Sequence, residues 1–261
     1  MMTVAPAVEM PPIRKLREFI QSCSGDMLGR TQIRAEKNRL HEFRLMIGPC
    51  LQVMKYAQAF LLLTDSGFTR EAEPLARAAL EHAVTMQWSY LTKGGIDRML
   101  VWGTRTEKEH WEQVGAWSHN DEISTFARGL SVPNGPSMAN YGTFLKEMVD
   151  GEFFQLSQAV LSQTVHITSS SISSHFDNSD ASKLIQFPTA YFLHGATFVV
   201  AVACMLAAGV IADVTYDGAL EFALDEASER LPMPRNLQPH IPEKRARDLP
   251  EWPTECSSST N

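Results

Sequence analysis

The sequence predicts an all-α protein: a single-domain bundle of about seven or eight helices around one central apolar helix. Apolar residues recur at steps of three and four along most of the chain, which is the helical period. No segment shows the strict alternation of a half-buried strand. An uncharged stretch of 18 residues, 195–212, is rich in Ala and Gly and predicts the central helix.

The first part of the chain predicts four helices in succession. They are expected at residues 13–27, 31–65, about 68–92 and about 96–117. Gly67 is a suitable C-cap for the second helix, and Thr69 is a suitable N-cap for the third. Because the connection between these two helices is short, we expect them to pack antiparallel.

The second part begins with a loop at residues 131–137, SVPNGPS. Helices are expected at 138–148 and about 152–167, followed by a serine-rich stretch at 168–182. The apolar helix should cover about 189–213, and a last helix 216–230. The bundle domain should therefore span 1–230. Residues 231–261 are rich in Pro and Ser and predict an extended or disordered tail.

Composition narrows the class of protein. The formal charge of −7 and the absence of a basic stripe argue against a nucleic-acid partner. The four cysteines share no C-x-x-C spacing, so reduced buried thiols are expected rather than disulfides or a zinc site. The apolar stretch is rich in Ala and Gly, and His194 precedes it, which favours a core helix over a membrane span. With no signal peptide apparent, we expect a cytoplasmic protein without a membrane partner.

A row of charged residues in the third helix is the first candidate site. With Glu73 set at zero on a helical wheel, Arg77 lies at about +40° and Glu81 at about +80°. The row lies beside the apolar stripe that contains Trp88, so its charges should be partly desolvated and should pair at i, i+4. Two interpretations remain open: a salt-bridged seam between helices, or a ligand-facing Arg with a catalytic Glu.

Two histidines are candidates to join this row inside the bundle. Ser162, His166 and Ser170 are spaced by four and would share one helix face. No G-x-S-x-G elbow accompanies them, so hydroxyls that satisfy a buried histidine are expected rather than a serine nucleophile. His194 begins the most apolar helix, and Tyr191 is placed to satisfy it. We therefore predict that the Arg–Glu ion pair lines an internal polar pocket near one of these histidines.

Arg-x4-His occurs twice, from Arg77 to His82 and from Arg105 to His110. Both resemble the Arg-x4–6-His signature of HEPN ribonucleases, in which His acts on the ribose hydroxyl and Arg steadies the phosphate. Residues five apart on a regular helix diverge by about 140°, so each pair converges only at a helix break or across a dimer. This resemblance implies an alternative function, a metal-independent ribonuclease of toxin or defence type.

The second match contains Glu107-x-x-His110, the unit from which ferritin-like di-iron sites are built. Such a site needs a second unit and two further glutamates, and no second E-x-x-H is present in the sequence. A single iron or manganese ion would have to recruit Glu81 and His166 from other helices. The second alternative function is therefore a metalloenzyme. The structural interpretation of the same residues is a hydrogen-bonded Glu–His pair at a helix interface.

The chain also resembles a bacterial family of helical proteins of unknown function. The resemblance covers about residues 40–176 and rests on two motifs, Gly67-x3-Glu71-Ala72-x4-Arg77-x3-Glu81 and Ser162-x3-His166. It implies that Arg77, Glu81 and His166 form a polar core, and it implies no activity.

From these observations we expect a binding or regulatory protein with a polar Arg/Glu/His pocket and no assigned reaction. The candidate catalytic residues are Arg77, Glu81 and His166; the candidate pocket residues are Glu73, Trp88, Tyr191 and His194; the candidate metal ligands are Glu107 and His110. We expect no cofactor, unless iron or manganese occupies the metal site. The expected partners are a small molecule, another protein or a second copy in a homodimer, with nucleic acid only for a ribonuclease.

Overall fold

The structure is a computed structural model that describes residues 10–35, 37–146, 148–149, 151–166, 168–177, 180–186, 188 and 190–238. These residues form ten α-helices and a two-stranded hairpin, so the all-α prediction is confirmed. The helices are α1 (Ile13–Gly29), α2 (Leu40–Asp65), α3 (Thr69–Leu91), α4 (Gly95–Ser118), α5 (Asp121–Gly129), α6 (Tyr141–Leu145), α7 (Gly151–Ser162), α8 (Ser169–Ser173), α9 (Leu193–Thr215) and α10 (Gly218–Arg230). Strands β1 (Phe176–Asp177) and β2 (Asp180–Leu184) pair antiparallel.

The described residues divide into two compact units where a single bundle was expected. The first unit contains the chain up to Gln87 together with Tyr141–Gln238, and the second contains Trp88–Asn140. The division falls within α3, after the charged row that the sequence singles out. All of Glu73, Arg77 and Glu81 therefore belong to the first unit.

Helix α9 forms the core of the first unit, as predicted. It packs against α1, α2, α7 and α10, and most of its side chains are fully buried. Small Ala and Gly residues let neighbouring helices approach it closely. In the described residues, α9 and the segment Lys37–Asp65 are long and apolar enough to span a membrane, but 94% of the apolar window in α9 is buried inside the protein. That burial is typical of a core helix.

Three cysteines lie in this core. Cys23, Cys50 and Cys204 are buried free thiols, and the Cys23 thiol donates to the backbone oxygen of Cys204 at 3.9 Å. Burial raises the pKa of Cys50, which keeps its thiol neutral. The prediction of reduced buried thiols is confirmed for these three, and Cys256 lies outside the described residues.

The long second helix begins later than predicted. Residues 31–35 are not helical, and α2 starts at Leu40 after a 3-10 turn at Lys37–Arg39. Arg39 fixes this start because its buried guanidinium donates to Glu42 at 3.0 Å and to the Tyr216 hydroxyl at 3.3 Å. The contact with Tyr216 spans most of the chain, so the local helical period does not show it.

Helices α2 and α3 are in contact through the rings of Tyr56 and His82, whose centres lie 5.4 Å apart. These two residues lie at similar distances from the turn at Gly67, as the predicted antiparallel pair requires. Gly67 has a φ of +85°, which a residue with a side chain rarely adopts. The Thr69 hydroxyl accepts a hydrogen bond from the Ala190 N–H at 2.8 Å, which ties the start of α3 to the segment before α9.

Two helices that precede α9 in the sequence are shorter than predicted. Helix α6 covers only Tyr141–Leu145, and α7 ends at Ser162 rather than near residue 167. The Ser162 hydroxyl donates back to the Gln158 carbonyl at 2.5 Å, and turns follow at 163–165. His166 therefore lies beyond the helix, and Ser170 belongs to α8, so the predicted face of Ser162, His166 and Ser170 does not form.

The serine-rich stretch, in which the sequence shows no strand-like alternation, contains α8, β1 and the start of β2. Phe176 pairs with Leu184 and Asp177 pairs with Asp180 in a short hairpin. Two strands of this length contain too few residues to show an alternating pattern.

Of the predicted extended or disordered tail, 231–261, the structure describes residues 231–238, which form neither helix nor strand. Three residues after α10 are buried in the first unit: Leu231, Met233 and Leu237. The side chain of Gln87, itself fully buried, donates to the Arg235 carbonyl at 2.9 Å and to the Asn236 side-chain oxygen at 3.1 Å, and accepts from the Leu237 N–H at 2.6 Å. We call residues 231–238 the C-terminal segment. Residues 239–261 lie outside the described residues.

The second unit is a helical hairpin of α4 and α5 followed by the predicted loop at 131–137. Helix α5 was not predicted, although its start has a recognisable signal. The Asn120 side chain accepts from the N–H groups of Glu122 and Ile123 at 2.9 and 3.2 Å, and acidic residues fill the first turn.

Candidate functional site

The charged row of α3 forms the predicted ion pair. Arg77 Nε lies 3.0 Å from Glu81 Oε1, one helical turn further along, and both side chains are partly buried. The helical period places the two residues on one face, beside the apolar stripe that packs into the first unit. This local part of the prediction is confirmed.

A residue from α7 joins the pair. Gln158 Nε2 donates to the same Glu81 oxygen at 2.5 Å, so one carboxylate oxygen accepts two hydrogen bonds. The contact links α3 to α7 across 77 positions of sequence. Sequence reasoning missed Gln158, because only the packing of the two helices identifies it as a partner.

Tyr141, the first residue of α6, places its hydroxyl in this environment. The hydroxyl oxygen is buried and has no hydrogen-bond partner among the described residues. Burial raises the pKa of Tyr141, the charge of Glu81 raises it further, and the charge of Arg77 offsets part of the rise. The phenol is therefore neutral and keeps its proton for donation.

Arg77 also has N–H donors that the ion pair does not use. Its Nε serves Glu81, while its two Nη groups have no hydrogen-bond partner among the described residues. We call Arg77, Glu81, Tyr141 and Gln158 the α3 polar cluster. The cluster combines unused N–H and O–H donors with a carboxylate that is fixed from two sides.

Glu73 lies one turn before Arg77 and is more deeply buried, with 4% of its surface exposed. Burial is the largest cause that raises the pKa of Glu73. The charge of Arg70 and hydrogen bonds with Thr164 and the Phe192 backbone lower it by less, and Glu71 raises it. This carboxyl therefore holds its proton to higher pH than an exposed glutamate does.

Neither predicted histidine belongs to the cluster. His166 is exposed, and its backbone N–H donates to the Ser162 carbonyl at 3.3 Å. His194 Nε2 donates to the Pro11 carbonyl at 2.7 Å, so a backbone group satisfies it instead of Tyr191. The prediction that Tyr191 lines a pocket is wrong, because its side chain is fully exposed ahead of α9. Trp88 is buried and is the first residue of the second unit, whereas the cluster belongs to the first.

The Arg-x4-His motifs lie on regular helices. In α3, Arg77 pairs with Glu81 while His82 Nδ1 donates to the Ala78 carbonyl at 2.9 Å. In α4, Arg105 and His110 are both exposed, and the helix runs without a break from Gly95 to Ser118. Within one chain neither motif has the helix break that convergence requires, so a ribonuclease site would need a second copy.

The Glu107-x-x-His110 unit is also exposed on α4. The described residues contain no group of three His, Cys, Asp or Glu side chains that is placed to hold a metal ion. The His110 ring instead lies edge-on to Trp111, with the ring centres 6.0 Å apart. The donor set around this unit is thus incomplete for a ferritin-like centre, and the metal site remains a prediction.

The comparisons with known proteins give a family and no activity. The sequence profile of a family of unknown function, DUF5677, matches residues 43–183, which is more than half of the chain. No curated protein and no solved structure matches the chain. The matched region contains the whole α3 polar cluster and agrees closely with the span of the family resemblance in the sequence. The chain therefore belongs to DUF5677, a family of unknown function.

Proposed function

We propose that this protein is a binding protein for a small organic anion, a carboxylate or a phosphate ester, held by the α3 polar cluster. One observation supports the proposal above the others. The charges of Arg77 and Glu81 both act on Tyr141, whose hydroxyl is buried without a hydrogen-bond partner among the described residues, and Arg77 keeps N–H donors that Glu81 does not use.

A buried hydroxyl without a partner costs about 1–3 kcal/mol, so such groups usually meet a water or a ligand. An oxygen of a bound anion would accept from Tyr141 and from an Arg77 Nη group together. Charge-assisted hydrogen bonds of this kind are about twice as strong as neutral ones, and the planar guanidinium matches carboxylate and phosphate oxygens.

Glu81 and Gln158 act as positioning residues in this proposal. Glu81 holds the guanidinium of Arg77 through Nε, and Gln158 holds Glu81. The guanidinium is then fixed before the ligand arrives, so less side-chain entropy is lost on binding. The negative charge of Glu81 offsets part of the attraction for an anion, so the geometry of the donors should matter more than net charge. We assign no reaction to the cluster.

Isothermal titration calorimetry with a panel of small carboxylates and phosphate monoesters tests the proposal. Arg77→Met should abolish binding of any hit, and Tyr141→Phe should weaken it by about tenfold, the equivalent of one hydrogen bond. Arg14→Met is the matched control, since Arg14 makes the same i, i+4 pair with Glu18 at 3.5 Å but is 85% exposed. It should bind like the wild type.

Circular dichroism should first show that each variant keeps its helical content. The proposal fails if no probe binds the wild-type protein. It also fails if Arg77→Met and Arg14→Met bind equally well.

A further inference from the structure

We infer a second ligand site in the first unit, for a small zwitterion of the α-amino acid class. A surface cavity of about 360 Å³ opens beside the first turns of α3. Its described lining residues are Arg70, Glu71, Pro74, Thr164 and His175. None of them belongs to the α3 polar cluster, so this inference does not depend on the proposed function.

The cavity brings opposite charges together. Arg70 is half-buried, and its Nη1 donates to the Ser174 hydroxyl, which anchors the guanidinium. Its other N–H groups have no hydrogen-bond partner among the described residues, although its charge also acts on the buried Glu73. Glu71 is exposed and lines the same cavity. A simple anion would be attracted by Arg70 and repelled by Glu71. A simple cation would be attracted by Glu71 and repelled by Arg70. A molecule with both charges close together satisfies both residues.

His175 adds an acceptor with a defined tautomer. Its Nδ1 lies 3.1 Å from the Ile185 carbonyl, and a carbonyl can only accept, so Nδ1 carries the hydrogen. In the neutral ring the lone pair is then on Nε2. An ammonium group that approaches Glu71 can donate its second hydrogen to this nitrogen.

The remaining lining residues set the size and polarity of the cavity. The Thr164 hydroxyl donates to the Leu161 carbonyl at 3.0 Å and also forms a hydrogen bond with Glu73, so protein groups satisfy it and it provides a polar wall. Pro74 provides an apolar wall. A volume of about 360 Å³ lies at the small end of the range of ligand cavities, about 300–1,000 Å³, and suits a molecule of amino-acid size.

In the arrangement that follows, the ligand carboxylate binds Arg70 and the ligand ammonium binds Glu71 and His175 Nε2. Both ends must be charged for full affinity. This requirement separates the zwitterion from the simple anions proposed for the α3 polar cluster.

The experiment uses the full chain and the twenty common L-amino acids, first in a thermal-shift screen and then by calorimetry. The best hit is then compared with its N-acetyl form, which lacks the cation, and its amide, which lacks the anion. We expect at least one amino acid to bind and each derivative to bind at least about tenfold more weakly.

Variants locate the site. Arg70→Met and Glu71→Gln should each abolish or strongly weaken binding, whereas the exposed controls Arg14→Met and Glu18→Gln should not. Amino-acid binding that survives in Arg70→Met but is lost in Arg77→Met would place the ligand at the α3 polar cluster and would overturn its assignment to this cavity.

The inference is overturned if no amino acid binds, if the two derivatives bind as tightly as the parent, or if binding survives in Arg70→Met and Glu71→Gln. The comparison of derivatives uses the wild-type protein, so the test stands even if a variant does not fold.

Discussion

Replacing Tyr141 by Phe removes a buried hydroxyl that has no hydrogen-bond partner among the described residues. The aromatic ring and its edge-on contact with Phe144, 5.1 Å between centres, are retained. Because an unpaired buried hydroxyl costs about 1–3 kcal/mol, Tyr141→Phe should raise the free energy of unfolding by about 1 kcal/mol in the absence of ligand. For a chain of this size that corresponds to about 2–4 °C in Tm.

The measurement is equilibrium unfolding in urea, followed by circular dichroism in buffer without organic anions. Tyr216→Phe is the comparison, because the Tyr216 hydroxyl accepts from Arg39 at 3.3 Å. Losing that bond should lower the free energy of unfolding by about 1 kcal/mol, so the two Tyr→Phe changes should have opposite signs.

A loss of stability in Tyr141→Phe as large as in Tyr216→Phe would refute the reasoning, since it would mean that the Tyr141 hydroxyl is paired in solution. A change near zero would also refute it, because water would then satisfy the hydroxyl. If Tyr141→Phe gains stability and also binds anions more weakly, the Tyr141 hydroxyl contributes to ligand binding at a cost in stability.

Three further changes test other features. Burial raises the pKa of Glu73, so the folded protein binds this proton more tightly than the unfolded chain, and stability should fall as pH rises above about 4.5. Glu73→Gln should flatten that fall in a pH series of urea unfolding, and an unchanged slope would contradict the assignment. Gln87→Leu should lower the free energy of unfolding by at least about 1–3 kcal/mol, because it leaves the Leu237 N–H buried and unpaired, whereas exposed Gln163→Leu should have little effect. Elemental analysis should find the same trace of iron and manganese in wild type and His110→Ala, and stoichiometric metal that is lost in the variant would restore the metalloenzyme hypothesis.

The sequence predicts the helices whose stability comes from a long apolar pattern. Helix α9 was located to within about four residues at its start because its composition is apolar on all sides. The start of α2 and the end of α7 were misplaced because specific contacts determine them. Arg39 contacts Tyr216 at the start of α2, and the Ser162 hydroxyl donates to the Gln158 carbonyl at the end of α7. A periodic pattern indicates which face of a helix is buried, and it carries little information about where the helix stops.

The residues of the candidate site likewise fall into those that helical spacing predicts and those that depend on tertiary contacts. Arg77 and Glu81 are partners at i, i+4, so helical geometry alone brings them together. Gln158 and Tyr141 join them from α7 and α6, which lie far from α3 in the sequence, so no local spacing reveals either residue. His166 was assigned to the pocket because α7 was extended past its true end, and the exposed position of this residue follows from that single error.

The contacts of Gln87 make the C-terminal segment resemble a peptide ligand that is covalently attached to its receptor. Gln87 bonds main-chain groups at Arg235 and Leu237, so it recognises the path of the segment more than its side chains. A ligand on a short tether has an effective concentration in the millimolar range, which a free peptide seldom matches. A protein shortened to end before Leu231 should therefore be open to complementation in trans by a synthetic peptide of residues 231–238, whereas the intact chain should exclude the same peptide.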